Sequence, residues 1–312
     1  MAIEFPRGTQ LIDAGGQDFG WAGLWPRCEQ LLEGGGDAEW IAYSGSGAAL
    51  ELLMQFPETG GEVESAWSDG RAVMFVSGSC LPESLELQLP VEWRALVSLP
   101  QPADVLLVPR ERLLSAGPQR VVETVLQQGP LLRVLRRGLF DERLPGLTAG
   151  PPVLKEAALR AAVRQTLQRT GSAGESLTCR EAGLLLLHGF DDACHNLVQT
   201  LEGRGALQTA DYWHGIMHRR EPDAGNASWW FRRVRRHPVL QKVGEHLIAW
   251  LTELGAESAV LTAAGDLLDE RGWLDPQRLT QLSMSALRDR GHVTERTARL
   301  VQYLEMVSLL TL

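Results

Sequence analysis

From Thr178 onward, one helix-start signal follows another and no strand pattern intervenes. Thr178-Cys179-Arg180-Glu181 has the spacing of a capping box, in which a hydroxyl and a carboxylate satisfy the free N–H groups of a first turn. It predicts a helix running on to Leu201, weakened or bent at Gly189. Thr209 is expected to cap a helix reaching about Arg220, where Pro222 helps end it. Asn226 caps the next, and Pro238 suits the first turn of another. Asp275-Pro276 repeats the cap-plus-proline signature. Thr294 opens the last helix, whose Leu300, Val301, Leu304 and Val307 form one apolar face. Helical spacing already begins near Pro118, in Val121, Val122 and Val125, and continues in Leu154, Ala158, Leu159, Ala162 and Leu167.

The first 110 residues look different. Runs at 40–43, 72–76, 85–89 and 105–108 are apolar or alternating and bounded by Gly, Ser or Pro, which reads as strand. Residues 25–32 and 47–54 read as short helices. The predicted fold class is therefore an α+β N-terminal domain over residues 1–150 and a predominantly α-helical domain over 151–312. Pro145, Gly146, Gly150, Pro151 and Pro152 mark residues 145–152 as the linker. No internal repeat is present.

A chain of 312 residues accommodates two such domains, and 44% hydrophobic with 22% charged residues excludes a disordered or fibrous main state. No apolar run approaches a membrane span. Met1-Ala2-Ile3-Glu4-Phe5-Pro6 has neither region of a signal peptide. The four cysteines show no CxxC pairing and imply no zinc motif or disulfide framework, so reduced thiols and a cytoplasmic location are expected.

The net charge of −9 argues against a general nucleic-acid binder. That charge is uneven. Residues 1–100 carry 15 acidic against 4 basic side chains, whereas residues 151–312 carry 19 of each. The acidic N-terminal domain thus offers a surface to a protein partner. All seven histidines lie at or beyond His188.

The chemistry concentrates in residues 188–237. On a continuous helix, His188, Asp192 and His195 would share a face. His214 and His218 are i, i+4, so both imidazoles can converge on one point. A divalent Zn, Fe or Mn ion is the expected cofactor, and no nucleotide motif is evident. His195 is the first choice for third ligand, then Glu221 or Asp192. The pair lacks the glutamate of HExxH, and an ordinary core histidine beside a surface one is the competing account. His214, His218 and Glu221 are the expected catalytic groups.

Arg219, Arg220, Arg232 and Arg233 could hold a substrate anion through charge-assisted forks. Asp223 and Asn226 would assist, with Trp213 and Trp230 as walls. On one helix Arg232, Arg235 and Arg236 share a face. The competing account pairs the arginines with Glu221, Asp223 and Asp211 and places Trp229, Trp230 and Phe231 in the core. Weaker features are an ordinary tight turn at Tyr43-Ser44-Gly45-Ser46-Gly47, a buried structural thiol at Cys194, and a solvated helix face at Arg133, Arg136 and Arg137.

Residues 212–238, YWHGIMHRREPDAGNASWWFRRVRRHP, resemble the signature YWHxIMHRREPDxxNxxYWFRRVxxHP of an uncharacterised bacterial and fungal protein family. The resemblance extends over about residues 175–312 and leaves 1–150 uncovered. It implies that His195, His214, His218, Arg219, Arg220, Glu221, Asp223, Asn226, Arg232 and Arg233 form one motif, and it supplies no activity. His188, Trp229 and Arg235 depart from the pattern, which makes His188 a poorer ligand than His195.

The leading expectation is a hydrolase- or lyase-type enzyme, metal-dependent at the histidines, acting on a small anionic molecule. The alternative is a non-enzymatic module that binds a phosphorylated or carboxylated ligand, or a protein or nucleic-acid partner, through the same arginines and aromatics. A third account makes the charged cluster a paired, structural network.

Overall fold

The computed structural model describes residues 10–13, 40–44, 73–77, 81–98, 105–109, 111, 115, 131–134, 144–150, 156–234, 236–289 and 292–312. The chain divides into two compact units. One comprises Met1–Ser79, Ser98–Arg136 and Pro151–Ala162, the other Cys80–Val97, Arg137–Gly150 and Val163–Leu312.

In the first unit, five short strands form one mixed sheet. They are β1 (Gln10–Asp13), β2 (Trp40–Ser44), β3 (Val73–Ser77), β4 (Val105–Pro109) and β5 (Leu131–Val134), in the order β1-β2-β4-β3-β5. β4 is antiparallel to β2 and β3, with Ile41 opposite Val108 and Val73 opposite Leu107. The two outer pairings are parallel.

The second unit is helical. Its elements are α1 (Glu83–Glu86), α2 (Val91–Ser98), the second half of α3 (Glu156–Arg169), α4 (Gly174–Leu187), α5 (Asp191–Gln199), α6 (Thr209–Arg220), α7 (Ala224–Val234), α8 (Pro238–Glu253), α9 (Ser258–Gly265), α10 (Pro276–Asp289) and α11 (His292–Leu310). α11 packs against α4, α8, α9 and α10 and is buried on every side from Leu300 to Leu310. A helix buried all round serves as the centre of a core rather than as one wall of it.

The expectation of an α+β N-terminal domain is overturned. The described residues are mainly helical, and α1 and α2 belong to the helical unit. Residues 85–89, Leu-Glu-Leu-Gln-Leu, alternate like a strand, yet a strand would put all three leucines on one face. Here Leu85 and Leu89 are buried while Leu87 is 64% exposed. The operative pattern has a spacing of four: Leu81, Leu85, Leu89, Trp93 and Val97 are all buried. Trp93 Nε1 donates to Thr170 Oγ1 at 2.6 Å, and Trp250 Nε1 donates to Ser84 Oγ at 3.0 Å. The helices expected at 25–32 and 47–54, and the Val121–Val125 face, fall outside the described residues.

Several helix boundaries also differ. Thr178 lies inside α4, its hydroxyl donating back to the Gly174 carbonyl, so the supposed capping box does not start a helix. The long helix through Leu201 is broken at Gly189, whose φ of +82° only glycine adopts readily. Asp223 rather than Asn226 caps α7, its carboxylate accepting from Asn226 N at 3.0 Å. Pro238 opens α8, and Asp275 caps α10 by accepting from Gln277 N at 2.8 Å.

Residues 145–150, the described part of the expected 145–152 linker, belong to the helical unit and are held in it. Their backbone carbonyls lie outside regular structure and therefore accept from side chains. Arg220 Nη1 donates to Gly146 O at 2.7 Å, Gln302 Nε2 to the same oxygen at 3.3 Å, and Arg299 Nε to Pro145 O at 3.3 Å. Leu147 is buried with Ala286 and Ala298.

Candidate metal centre

The centre sits where α5, α6 and α7 meet. Two turns of α6 present His214 and His218 as stacked rings, centroids 5.0 Å apart at 14°. His195 of α5 meets both edge-on, at 4.7 Å and 5.8 Å. One nitrogen from each ring lies within 4.8 Å of the others, and among the described residues these three alone form such a group.

Gly215 lets α7 approach. A Cβ there would come within 2.7 Å of the Phe231 ring. The close approach brings Trp230 onto His214 in a parallel stack at 3.9 Å. His214 is thus locked in plane and only 3% exposed, while His195 and His218 are half-buried.

Hydrogen bonding differs within the trio. His218 Nδ1 pairs with Glu221 Oε2 at 2.9 Å, which leaves its Nε2 available as a ligand. A carboxylate behind a histidine fixes ring orientation and raises basicity, as at known metal sites. His214 Nδ1 is buried with no partner. An unsatisfied buried polar atom costs about 1–3 kcal/mol, so it requires an explanation. Burial, reinforced by His195, His218 and Arg233, holds the His214 pKa down at about 3. The ring is therefore neutral at ordinary pH, the form that ligates a metal. A tetrahedral ion with N contacts of about 2.1 Å would bring the nitrogens to about 3.4 Å, within reach of small side-chain rotations. The trio could hold a metal ion.

The other expected site residues fall elsewhere. Asp192 is exposed on α5 and outside the trio. His188 is separated from the α5 face by the Gly189 break, and its Nε2 pairs with Leu96 O at 2.7 Å. Burial lowers its pKa. Asp223 and Asn226 bond each other, Nδ2 to Oδ2 at 2.7 Å, and those bonds hold the Asp223 carboxyl below its usual range. Trp213 is buried beneath α4, where a Cβ on Gly183 would come within 2.3 Å of its ring.

The arginines are largely committed. Arg219, fully buried, pairs with Glu305 and donates to Gln302 Oε1 at 3.1 Å; Tyr212 donates to the other Glu305 oxygen at 2.6 Å. Arg220 bonds both Asp191 oxygens, at 3.2 and 3.3 Å, as well as the Gly146 carbonyl. Arg233 pairs with Glu202 at 2.8 Å and Asp211 at 3.2 Å, over the rings of Trp229 and Trp230. Arg232 is exposed, Arg236 is exposed, and Arg235 lies outside the described residues. Sequence reasoning missed Glu305 and Gln302, although two polar groups three apart inside an apolar helix are a readable signal. Cys194 is a free, buried thiol whose pKa burial raises, as expected of a structural cysteine.

No family model, no curated protein and no solved structure matches the chain. No described helix is long and apolar enough to cross a membrane.

Proposed function

We propose that the helical unit carries a divalent-metal centre at His195, His214 and His218, serving hydrolase- or lyase-type chemistry on a small anionic molecule. The observation that supports it most is a neutral His214 whose buried Nδ1 has no partner, in a trio whose ring nitrogens, one from each, lie within 4.8 Å of one another. Three imidazole nitrogens suit zinc, with iron and manganese as alternatives. Such an ion would supply Lewis acidity and activate water near neutral pH. Glu221 orients His218 and is placed to accept a proton. Half-exposed Arg233, whose charge already acts on His214, is the cation for the substrate anion, with Arg232 beside it. Trp230 walls the centre. Arg219 and Arg220 hold the fold instead. The resemblance of residues 175–312 to an uncharacterised family adds that these groups form one motif, but no activity.

The apo protein titrated with Co2+ should develop the visible absorption of a nitrogen-rich tetrahedral site. His195→Ala, His214→Ala and His218→Ala should each abolish or alter it. Absence of any such absorption in the unaltered protein would contradict the proposal. With metal bound, turnover of simple phosphate or carboxylate esters supports an enzyme; saturable binding of those anions without turnover favours the non-enzymatic module.

A further inference from the structure

A cavity of about 210 Å³ lies between α4, the 201–208 segment, the first turn of α6 and Leu309 of α11. None of the three histidines lines it. Its floor is apolar, made by Leu201, Ala210, Trp213 and Leu309. Its wall also carries two exposed groups of opposite charge, Glu175 and Arg204, and neither is engaged in an ion pair among the described residues.

Three further features define what could enter. The Glu175 carboxylate sits 3.3 Å from where a Cβ on Gly205 would be, so it lies beside the segment that bears Arg204. Gln208, also on the wall, is held at φ +52°, a conformation disfavoured for a side-chain-bearing residue. Backbone strain of this kind persists where surrounding structure enforces it and clusters at ligand sites. Two other polar wall groups are spent. Arg180 donates to Leu310 O and Ser172 Oγ, at 3.2 and 3.0 Å, and burial pushes the Cys179 thiol up to about 11, so it stays neutral.

The size and the charges select one ligand class. The cavity is smaller than the ~300–1,000 Å³ of drug-sized sites, which excludes a nucleotide. An apolar floor beside one free anion and one free cation is complementary to a small zwitterion with a hydrophobic body. We propose that this cavity binds a free apolar α-amino acid, its side chain on Leu201, Trp213 and Leu309, its carboxylate toward Arg204 and its ammonium toward Glu175. The 201–208 segment also holds Glu202, the partner of Arg233, so occupancy would reach the histidine centre through that arginine.

Calorimetric titration of the whole chain tests this. L-leucine and L-phenylalanine serve as probes, against 4-methylpentanoate, which lacks the ammonium, and 3-methylbutylamine, which lacks the carboxylate. At least one amino acid should bind saturably at one site, with each analogue weaker by about tenfold or more, because a site built for a polar group rejects a ligand lacking it. Arg204→Gln and Glu175→Gln alter exposed side chains and should leave the melting temperature unchanged. Each should weaken amino-acid binding by about tenfold; Arg204→Gln should spare the amine and Glu175→Gln the carboxylate. The proposal is overturned if neither amino acid binds at millimolar concentration, if the analogues bind as tightly, or if both variants bind like the unaltered chain.

Discussion

Two sides of helix α6 carry the same kind of raw material and use it differently. One side presents Arg219 and Tyr212 to α11, where Glu305 and Gln302 answer them. The other presents His214 and His218 to α5 and α7, where they meet a third histidine and a tryptophan but no hydrogen-bond partner for the buried Nδ1. Both sides bury polar groups at a cost. On the arginine side Glu305 and Gln302 meet that cost for the buried charge, with Arg219 Nη1 left unpartnered. On the histidine side a gap is left that an ion of the right size would fill. Motif density alone did not separate the two; partner accounting does.

The arginine side gives the largest expected effect. Glu305→Ala leaves Arg219 charged, buried and unpaired, and should remove about 3–5 kcal/mol of stability in urea unfolding. His214→Phe, measured the same way without metal, keeps a ring against Trp230 and should cost far less, because the Nδ1 it removes has no partner. Equal losses would erase the distinction.

Histidine protonation sharpens the comparison next. His237 is buried but satisfied: its Nδ1 accepts from Val239 N and its Nε2 pairs with Thr209, both at 3.2 Å. Burial lowers its pKa to about 4 from an ordinary 6.5. The unfolded chain therefore takes up a proton across this interval that the folded chain refuses. Stability from this group is full above pH 6.5 and is lost as pH falls toward 4, by about 2–3 kcal/mol. His237→Gln should flatten that part of the stability profile. A profile identical to the unaltered chain's would refute the assignment.

Gly215→Ala comes third. Its methyl would press on Phe231, cost about 1–3 kcal/mol and displace Trp230 from His214. Unfolding and tryptophan fluorescence read the two effects separately; an unperturbed melt would mean that α6 and α7 do not require the glycine. The smallest effect belongs to Glu221→Gln, which keeps the fold and should weaken metal binding by about 10–100-fold. An unchanged affinity would remove Glu221 from the centre.

The sequence disclosed some of this and hid the rest for identifiable reasons. Pro238 and Asp275-Pro276 mark helix starts correctly because proline and a capping carboxylate act within one turn. The His214–His218 pairing follows from i, i+4 geometry alone. Glu305 lies 86 residues from Arg219, and no local rule links them. His188 dropped out because Gly189 ends a helix rather than merely weakening it. Residues 85–89 misled because alternation of leucine with polar residues imitates a strand, while the true period ran through Leu81 and Trp93. The same locality explains the linker reading of 145–152: proline and glycine mark irregular backbone but not whether distant arginines bind it.

Zinc titration of the metal-free protein tests the central claim most directly. The account predicts one ion per chain bound in the micromolar range or tighter, and no comparable binding in His214→Ala. A chain that takes up no zinc at millimolar concentration, or a His214→Ala variant that binds it as tightly, would contradict the account.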